Sequence, residues 1–376
     1  MRVVWRELQW LMCALVLAGL LFGCGSSYNQ LVSEHSIPDL RDAVQATTNG
    51  GNRTLVTTTH GADGQTVRLA IHELESPTKD RILVLIHGVF ADHTTWRFVA
   101  GDLARDHGVW IVDLPGCGQS DAPRPQGPDS YTAADLTERT LEALREQLAA
   151  RSAETRISLV GHSYGGTLIA VMFGNESLRT RYADVLDRVD RLVMISPFDV
   201  AMNRPTSVFQ ELAEASSLKV SLASKLGILK ERVAKATIAS VMDPARALKE
   251  EADKRIEFLE NSNKRIALQE TIKKAVPWTR EQRPDWDKIE PLEASYAKVD
   301  RDCLVVVGLR DEALPASMAF KLAVQMPRAM IVPLPKVMHS PHIESHEKCA
   351  AMIRAFVTTG KVDGEGVRTR DHALAR

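Results

Sequence analysis

The stretch of this chain best suited to covalent chemistry is Gly161-His162-Ser163-Tyr164-Gly165-Gly166. It follows the apolar run Ile157-Ser158-Leu159-Val160 and precedes a helical stretch, Thr167 to Phe173. A serine on such a strand-to-helix turn is held in a strained backbone conformation. Glycines two residues before and after it keep side chains from colliding there. The turn lifts the hydroxyl clear and points the helix N-terminus at it, where partial positive charge favours a developing oxyanion. A serine hydroxyl is a weak nucleophile at neutral pH, so it needs a neighbouring base. Histidine has the proton affinity for that work, but with 11 histidines present position must decide which one acts.

The elements that would hold this turn are legible as repeated apolar runs. Ile82 to Ile86, Val109 to Val112, Ile157 to Val160, Leu192 to Ile195, Leu304 to Val307 and Met330 to Val332 are short, continuous and rich in β-branched residues. Such runs suit strands buried on both faces of a parallel sheet. Helical patterns lie between most of them, clearest over Ala133 to Ala150, with Leu136, Leu141, Leu144 and Leu148 roughly on one face. Alternating strands and helices predict a doubly wound, mostly parallel α/β sheet. Leu55 to Thr59 and Val67 to Leu74 alternate apolar with polar and read as a hairpin turned at residues 61–64. From Phe198 to about Lys298 no strand run occurs. Leu218 to Thr237 and Ala245 to Lys274 have helical patterns dense in Lys, Arg and Glu, read as solvated helix faces on an insertion over the end of the sheet.

On these residues the chain resembles the α/β-hydrolase superfamily, in its lid-bearing serine hydrolase and esterase branch. The resemblance covers roughly Arg81 to Val357 apart from the insertion. Ile86-His87-Gly88-Val89-Phe90 is similar to the family's H-G turn, and Asp113-Leu114-Pro115-Gly116-Cys117-Gly118-Gln119-Ser120 to its D-x-P-G-x-G-x-S loop. The resemblance implies Ser163 as nucleophile, with acid and base following in that order along the chain. His339, in Val337-Met338-His339-Ser340-Pro341-His342-Ile343-Glu344, occupies the base position, with Met338 where the family usually has Gly. Asp311, in Gly308-Leu309-Arg310-Asp311, occupies the acid position. His342 is the rival base, and Asp199 the rival acid because some members place theirs after the sixth strand. The backbone N–H groups of Val89 and Tyr164 are the implied oxyanion hole, with Phe90 replacing Val89 if the turn is shifted by one residue. His87 is expected to brace its loop and His162 to pack. The resemblance implies no metal or organic cofactor. It does not extend to members whose nucleophile is Asp.

The N-terminus carries a separate message. Arg2 and Arg6 precede the apolar stretch Leu11 to Phe22, which has a basic front like a signal peptide and is too short to span a bilayer comfortably. Leu21-Phe22-Gly23-Cys24 is similar to a bacterial lipobox, in which the cysteine is lipidated and becomes the new N-terminus. A plain signal peptide and an uncleaved anchor are the other readings. Lipid on Cys24 would tether the chain to a membrane without spanning it, and Gly25 after it is consistent with outer-membrane sorting. Of the remaining cysteines, Cys117, Cys303 and Cys349, an odd number leaves at least one free.

The expected organisation is a leader over 1–23, a lipidated tether over 24–52, an α/β core over 53–197 and 299–360, a helical lid over 198–298 after the sixth strand, and a flexible tail over 361–376. A net charge of −1, from 47 basic and 48 acidic side chains, argues against a nucleic-acid partner. The implied activity is hydrolysis of a carboxylic ester or thioester of a small acyl substrate through an acyl-enzyme on Ser163. Acyl transfer, carbon–carbon cleavage, amide hydrolysis or perhydrolysis by the same triad, or an inactive binding lipoprotein, are the alternatives.

Overall fold

A computed structural model describes residues 53–61, 63–74, 80–199, 213, 215–238, 241–242, 249–275, 283–362 and 367–368. The expected leader, Cys24 and the tether to residue 52 lie outside the described residues, as do parts of the 198–298 insertion and of the tail.

The chain builds a nine-stranded sheet. Its strands are β1 (Arg53–Thr59), β2 (Val67–Leu74), β3 (Arg81–Ile86), β4 (Gly108–Val112), β5 (Arg156–His162), β6 (Val189–Ile195), β7 (Asp302–Gly308), β8 (Ala329–Leu334) and β9 (Val367–Arg368). In space they run β1-β2-β4-β3-β5-β6-β7-β8-β9. The six from β4 to β8 are mutually parallel, while β1, β2 and β9 add antiparallel edges.

The unbroken apolar runs are explained by two-sided burial. Along β3, Ile82, Val84 and Ile86 enter one core layer, while Leu83 and Leu85 enter the other. The first layer packs on α1 (Ala133–Ala149) through Leu136, Leu141, Leu144 and Leu148, and on α2 (Tyr164–Gly174). The second packs on Trp96, Val99 and a C-terminal helix (His346–Thr359) through Cys349, Ile353 and Phe356. Cys303 is buried in the first layer, and Cys117, Cys303 and Cys349 are all free thiols.

Between β6 and β7 lie α3 (Ser217–Lys225), α4 (Ile228–Ile238), α5 (Lys249–Glu260), α6 (Ser262–Ala275) and α7 (Trp286–Ser295). The sequence pattern suggested longer helices over 218–237 and 245–274, and local chemistry divides each. Gly227 takes a φ of +74° between α3 and α4, a conformation glycine adopts without steric cost. The Asn261 carboxamide oxygen accepts the N–H groups of Asn263 and Lys264 and so starts α6. Val220, Leu229, Val233, Ile256, Leu259 and Leu268 give the insertion a small core of its own.

Val367 and Arg368, within the segment expected to be a flexible tail, pair with Ile331 and Met330. That pairing occupies backbone groups that β8 would otherwise present at a sheet edge. Among the described residues no helix is long and apolar enough to cross a membrane.

Strand register decides where the chemistry collects. Ile86 is level with Val112 and Gly161, His162 with Ile195, Ile195 with Val306, and Gly308 with Leu334. The segments starting at His87, Asp113, Ser163, Leu309 and Pro335 therefore all leave the same edge, the carboxyl ends of parallel strands where α/β sheets hold their ligands.

Candidate active site

Ser163 sits between β5 and α2 with φ 51° and ψ −121°. A non-glycine residue there is strained, and the cost is tolerated only where surroundings over-determine it. The surroundings do so. The Ser163 N–H donates to the Ile195 carbonyl at 2.8 Å, and the Ser163 carbonyl accepts from Gly166 and Phe198. A Cβ on Gly161 would stand 2.5 Å from Gly165 backbone, and one on Gly165 would stand 2.7 Å from the His87 carbonyl oxygen. Both glycines are required by close backbone approach rather than by positive φ.

The same closeness brings the H-G turn to the serine. A Cβ on Gly88 would lie 2.8 Å from Ser163 Cβ and 3.3 Å from its Oγ. Tyr164 opens α2, where the first N–H groups of a helix have no acceptor within the helix. Val89 follows Gly88 directly, and Phe90 takes a φ of +63°. His87 is fully buried and braces the turn. Its Nε2 accepts the Leu114 N–H at 3.1 Å, so its Nδ1 carries the proton and donates to the Gly88 carbonyl at 2.8 Å. Burial lowers its proton affinity, outweighing the nearby Asp113 charge, which is consistent with that neutral tautomer.

Asp311 and His339 come from the two loops after β7 and β8. Leu309 and Arg310 N–H groups donate to the Leu334 and Val337 carbonyls, and Gly308 leaves room for the Val337 and Met338 backbone. That contact brings Asp311 Oδ2 to 2.7 Å from His339 Nδ1. Asp311 Oδ1 is occupied by the Ala313 and Leu314 N–H groups, so Oδ2 faces the ring in a fixed orientation. The rival acid, Asp199, is buried elsewhere and accepts the Tyr296 hydroxyl at 3.0 Å. Such a carboxylate can hold an imidazole in the tautomer whose far nitrogen accepts a proton.

Three neighbours fix the His339 loop. His162 Nε2 donates to the His339 carbonyl at 3.0 Å, tying the serine turn to that loop. The rival base, His342, bonds through Nε2 to Thr95 Oγ1 at 3.0 Å and has no exposed surface. Glu344 Oε1 accepts the Met338 N–H at 3.0 Å and the Ser340 N–H at 3.4 Å, while Oε2 accepts the Met242 N–H of the insertion at 2.8 Å. Burial raises the Glu344 carboxyl above its usual range, outweighing those three donors. The Glu344 role is invisible to motif reading because its partners are backbone groups.

Burial, reinforced by His339, pushes the His342 imidazole down to about 3. Burial and its two histidine neighbours also hold His162 well below the ordinary range. Between pH of roughly 6.5 and 3 the unfolded chain binds a proton at such positions that the folded chain refuses, so stability falls as pH falls through that window. A His342→Gln variant is expected to have a shallower pH slope of unfolding free energy between pH 6 and 4. The difference should approach roughly 1 kcal/mol per pH unit, measured by urea unfolding. An unchanged slope would contradict the buried neutral state.

The insertion packs on these loops. Val89, Phe90 and Cys117 border its core, and the Phe90 and Phe258 rings meet edge-on at 5.9 Å. Arg97 pairs with Glu251, and Lys254 with Asp92 at 4.0 Å. Helices α3 to α6 are thus anchored over the H-G turn and the loop after β4.

A strained serine turn between a parallel strand and a helix, with an H-G turn against it and a carboxylate-held histidine at the same edge, is an arrangement of the α/β-hydrolase type. The chain belongs to the alpha/beta hydrolase family, whose model matches residues 83–352. It is 34% identical over 114 residues to uncharacterised proteins of Mycobacterium bovis and Mycobacterium tuberculosis. That stretch is 30% of this chain, and the chain spans 28% of the length of those relatives. Among solved structures it is similar to a thermophilic esterase from Thermogutta terrifontis, with TM-score 0.58, 18% identity, and coverage of 81% of this chain and 98% of that one. It is also similar to the enol-lactonase from Burkholderia xenovorans LB400, with TM-score 0.59, 18% identity, and coverage of 80% and 100%. At such identities the likeness is one of fold.

Proposed function

We propose that this hydrolase cleaves a carboxylic ester or thioester through an acyl-enzyme on Ser163, with His339 as base and Asp311 as its supporting acid. The observation that carries the reading is the 2.7 Å bond between His339 Nδ1 and Asp311 Oδ2, at the sheet edge where strained Ser163 also sits. Ser163 Oγ attacks the carbonyl while His339 Nε2 takes its proton. The developing oxyanion is held by the Val89 and Tyr164 N–H groups, and His339 returns the proton to the leaving group. Water, activated by the same imidazole, then releases the acid. Helices α3 to α6 serve as a lid that sets substrate size, supported by their packing on Val89 and Phe90.

Fluorophosphonate labelling and p-nitrophenyl esters of rising acyl length test this together. Labelling confined to Ser163, with hydrolysis of at least one ester, is the expected result. Absence of both in folded protein overturns it. Repeating the assay with an alcohol acceptor separates hydrolysis from acyl transfer.

The leader motif supports a lipid on Cys24 and a place at the outer membrane or periplasmic face of a bacterium. A Cys24→Ser chain is then expected to lose incorporation of labelled palmitate, read on the protein resolved by electrophoresis. Palmitate incorporation retained in that variant would contradict lipidation there.

A further inference from the structure

Asp113 presents a problem that the hydrolase reading does not use. Its side chain is wholly buried, and among the described residues its ion-pair partners are two imidazoles. His72 Nε2, from β2, lies 2.8 Å from Asp113 Oδ2. His93 Nδ1, from the turn after the H-G segment, lies 2.9 Å from the same oxygen and 3.0 Å from Oδ1. The two rings stack with centroids 3.7 Å apart. Among the described residues no Lys or Arg forms an ion pair with Asp113, so this buried carboxylate rests on the two rings and on the His93 and Gln119 N–H groups.

We propose that His72 Nε2, His93 Nδ1 and Asp113 hold one divalent transition-metal ion, of which Zn2+ best fits a donor set of two imidazoles and a carboxylate. All three donor atoms lie within 4.8 Å of one another. Donors about 2.1 Å from one ion in tetrahedral geometry stand about 3.4 Å apart, so on loading the Asp113 contacts open by roughly 0.6 Å and the stacked rings splay until their centroids stand roughly 5 Å apart. The ion replaces two N–H donors on Oδ2. Each ring keeps one proton, moved to its other nitrogen. For His72 that nitrogen is Nδ1, 3.5 Å from Thr54 Oγ1, which can accept it. The His93 and Gln119 N–H groups, at 2.8 and 2.9 Å, continue to orient the carboxylate. Both imidazoles are partly exposed, their side chains at 15% and 24%, which gives the ion an entry path and a water a fourth position. The site is structural. It fastens the β1-β2 hairpin and the far end of the segment 87–93 to β4, while His87 and Leu114 fasten the near end.

The test uses the full-length chain, without a polyhistidine tag, stripped by chelator and dialysed against micromolar Zn2+. About one ion per chain is expected by mass spectrometry, with a rise in Tm on loading. His72→Asn and His93→Asn variants, checked for folding by circular dichroism, should lose affinity by at least the roughly 10- to 100-fold that loss of an outer-shell partner costs. Their Tm should no longer respond to Zn2+. If the parent retains no stoichiometric ion, or either variant retains it equally, the site is a hydrogen-bonded cluster and the inference fails. Labelling of Ser163 is read separately, so either result leaves the hydrolase reading to its own test.

Discussion

A Ser163→Ala chain is expected to lose about 10^6-fold in kcat toward its best ester, because nucleophile and base act as a unit. Activity left above that of water, about 10^3- to 10^4-fold, would come from substrate binding and the oxyanion donors alone. The substitution leaves the turn intact. Its restraints are backbone bonds from Ser163 to Ile195, and from Gly166 and Phe198 to Ser163, and none uses the hydroxyl. Near-parental Tm with absent fluorophosphonate labelling is therefore the expected pair of results. Hydrolysis retained within tenfold of the parent would place the nucleophile elsewhere and remove the mechanism.

Asp311→Asn is the second large effect, at about 10^4-fold in kcat with little change in KM. The physical reason is orientation. Ala313 and Leu314 N–H groups demand an acceptor at Oδ1, so the introduced amide nitrogen is directed toward His339 Nδ1. An amide donor there favours an imidazole protonated on Nε2, which presents a proton to the serine in place of a lone pair. Steady-state kinetics measure the loss, and nitrogen NMR of the imidazole reports the tautomer. A variant that kept full kcat would show that the carboxylate does not set the ring. Asp199→Asn is the matching control, since that carboxylate faces Tyr296, and little loss of kcat is expected.

Much of this molecule was legible before any coordinates. The buried runs around residues 82–86, 109–112, 157–160, 192–195, 304–307 and 330–332 each became a strand, because two-sided burial in a parallel sheet demands continuous apolar sequence. The glycines around Ser163 announced the turn, and the structure shows why: backbone passes at Gly161 and Gly165 where a Cβ would not fit. Helix boundaries in the insertion were less legible. Its charged residues continue a helical pattern across Gly227 and Asn261, where backbone conformation and capping break it. The strand at Val367–Arg368 was hidden because two residues are too few to show periodicity.

By itself, then, the sequence determined the order of strands and helices, the serine turn and the residues offered as its base and acid, since these depend on patterns local in the chain. Tertiary structure decided what no local pattern encodes. It chose Asp311 over Asp199 as the His339 partner, set Glu344 beneath the His339 loop, and closed His72, His93 and Asp113 into one cluster. Asp113 lies 20 and 41 positions from those two histidines, and only strand pairing makes them neighbours. The reason is one of range: periodicity and turn chemistry act over a few residues, whereas register across a sheet joins distant ones.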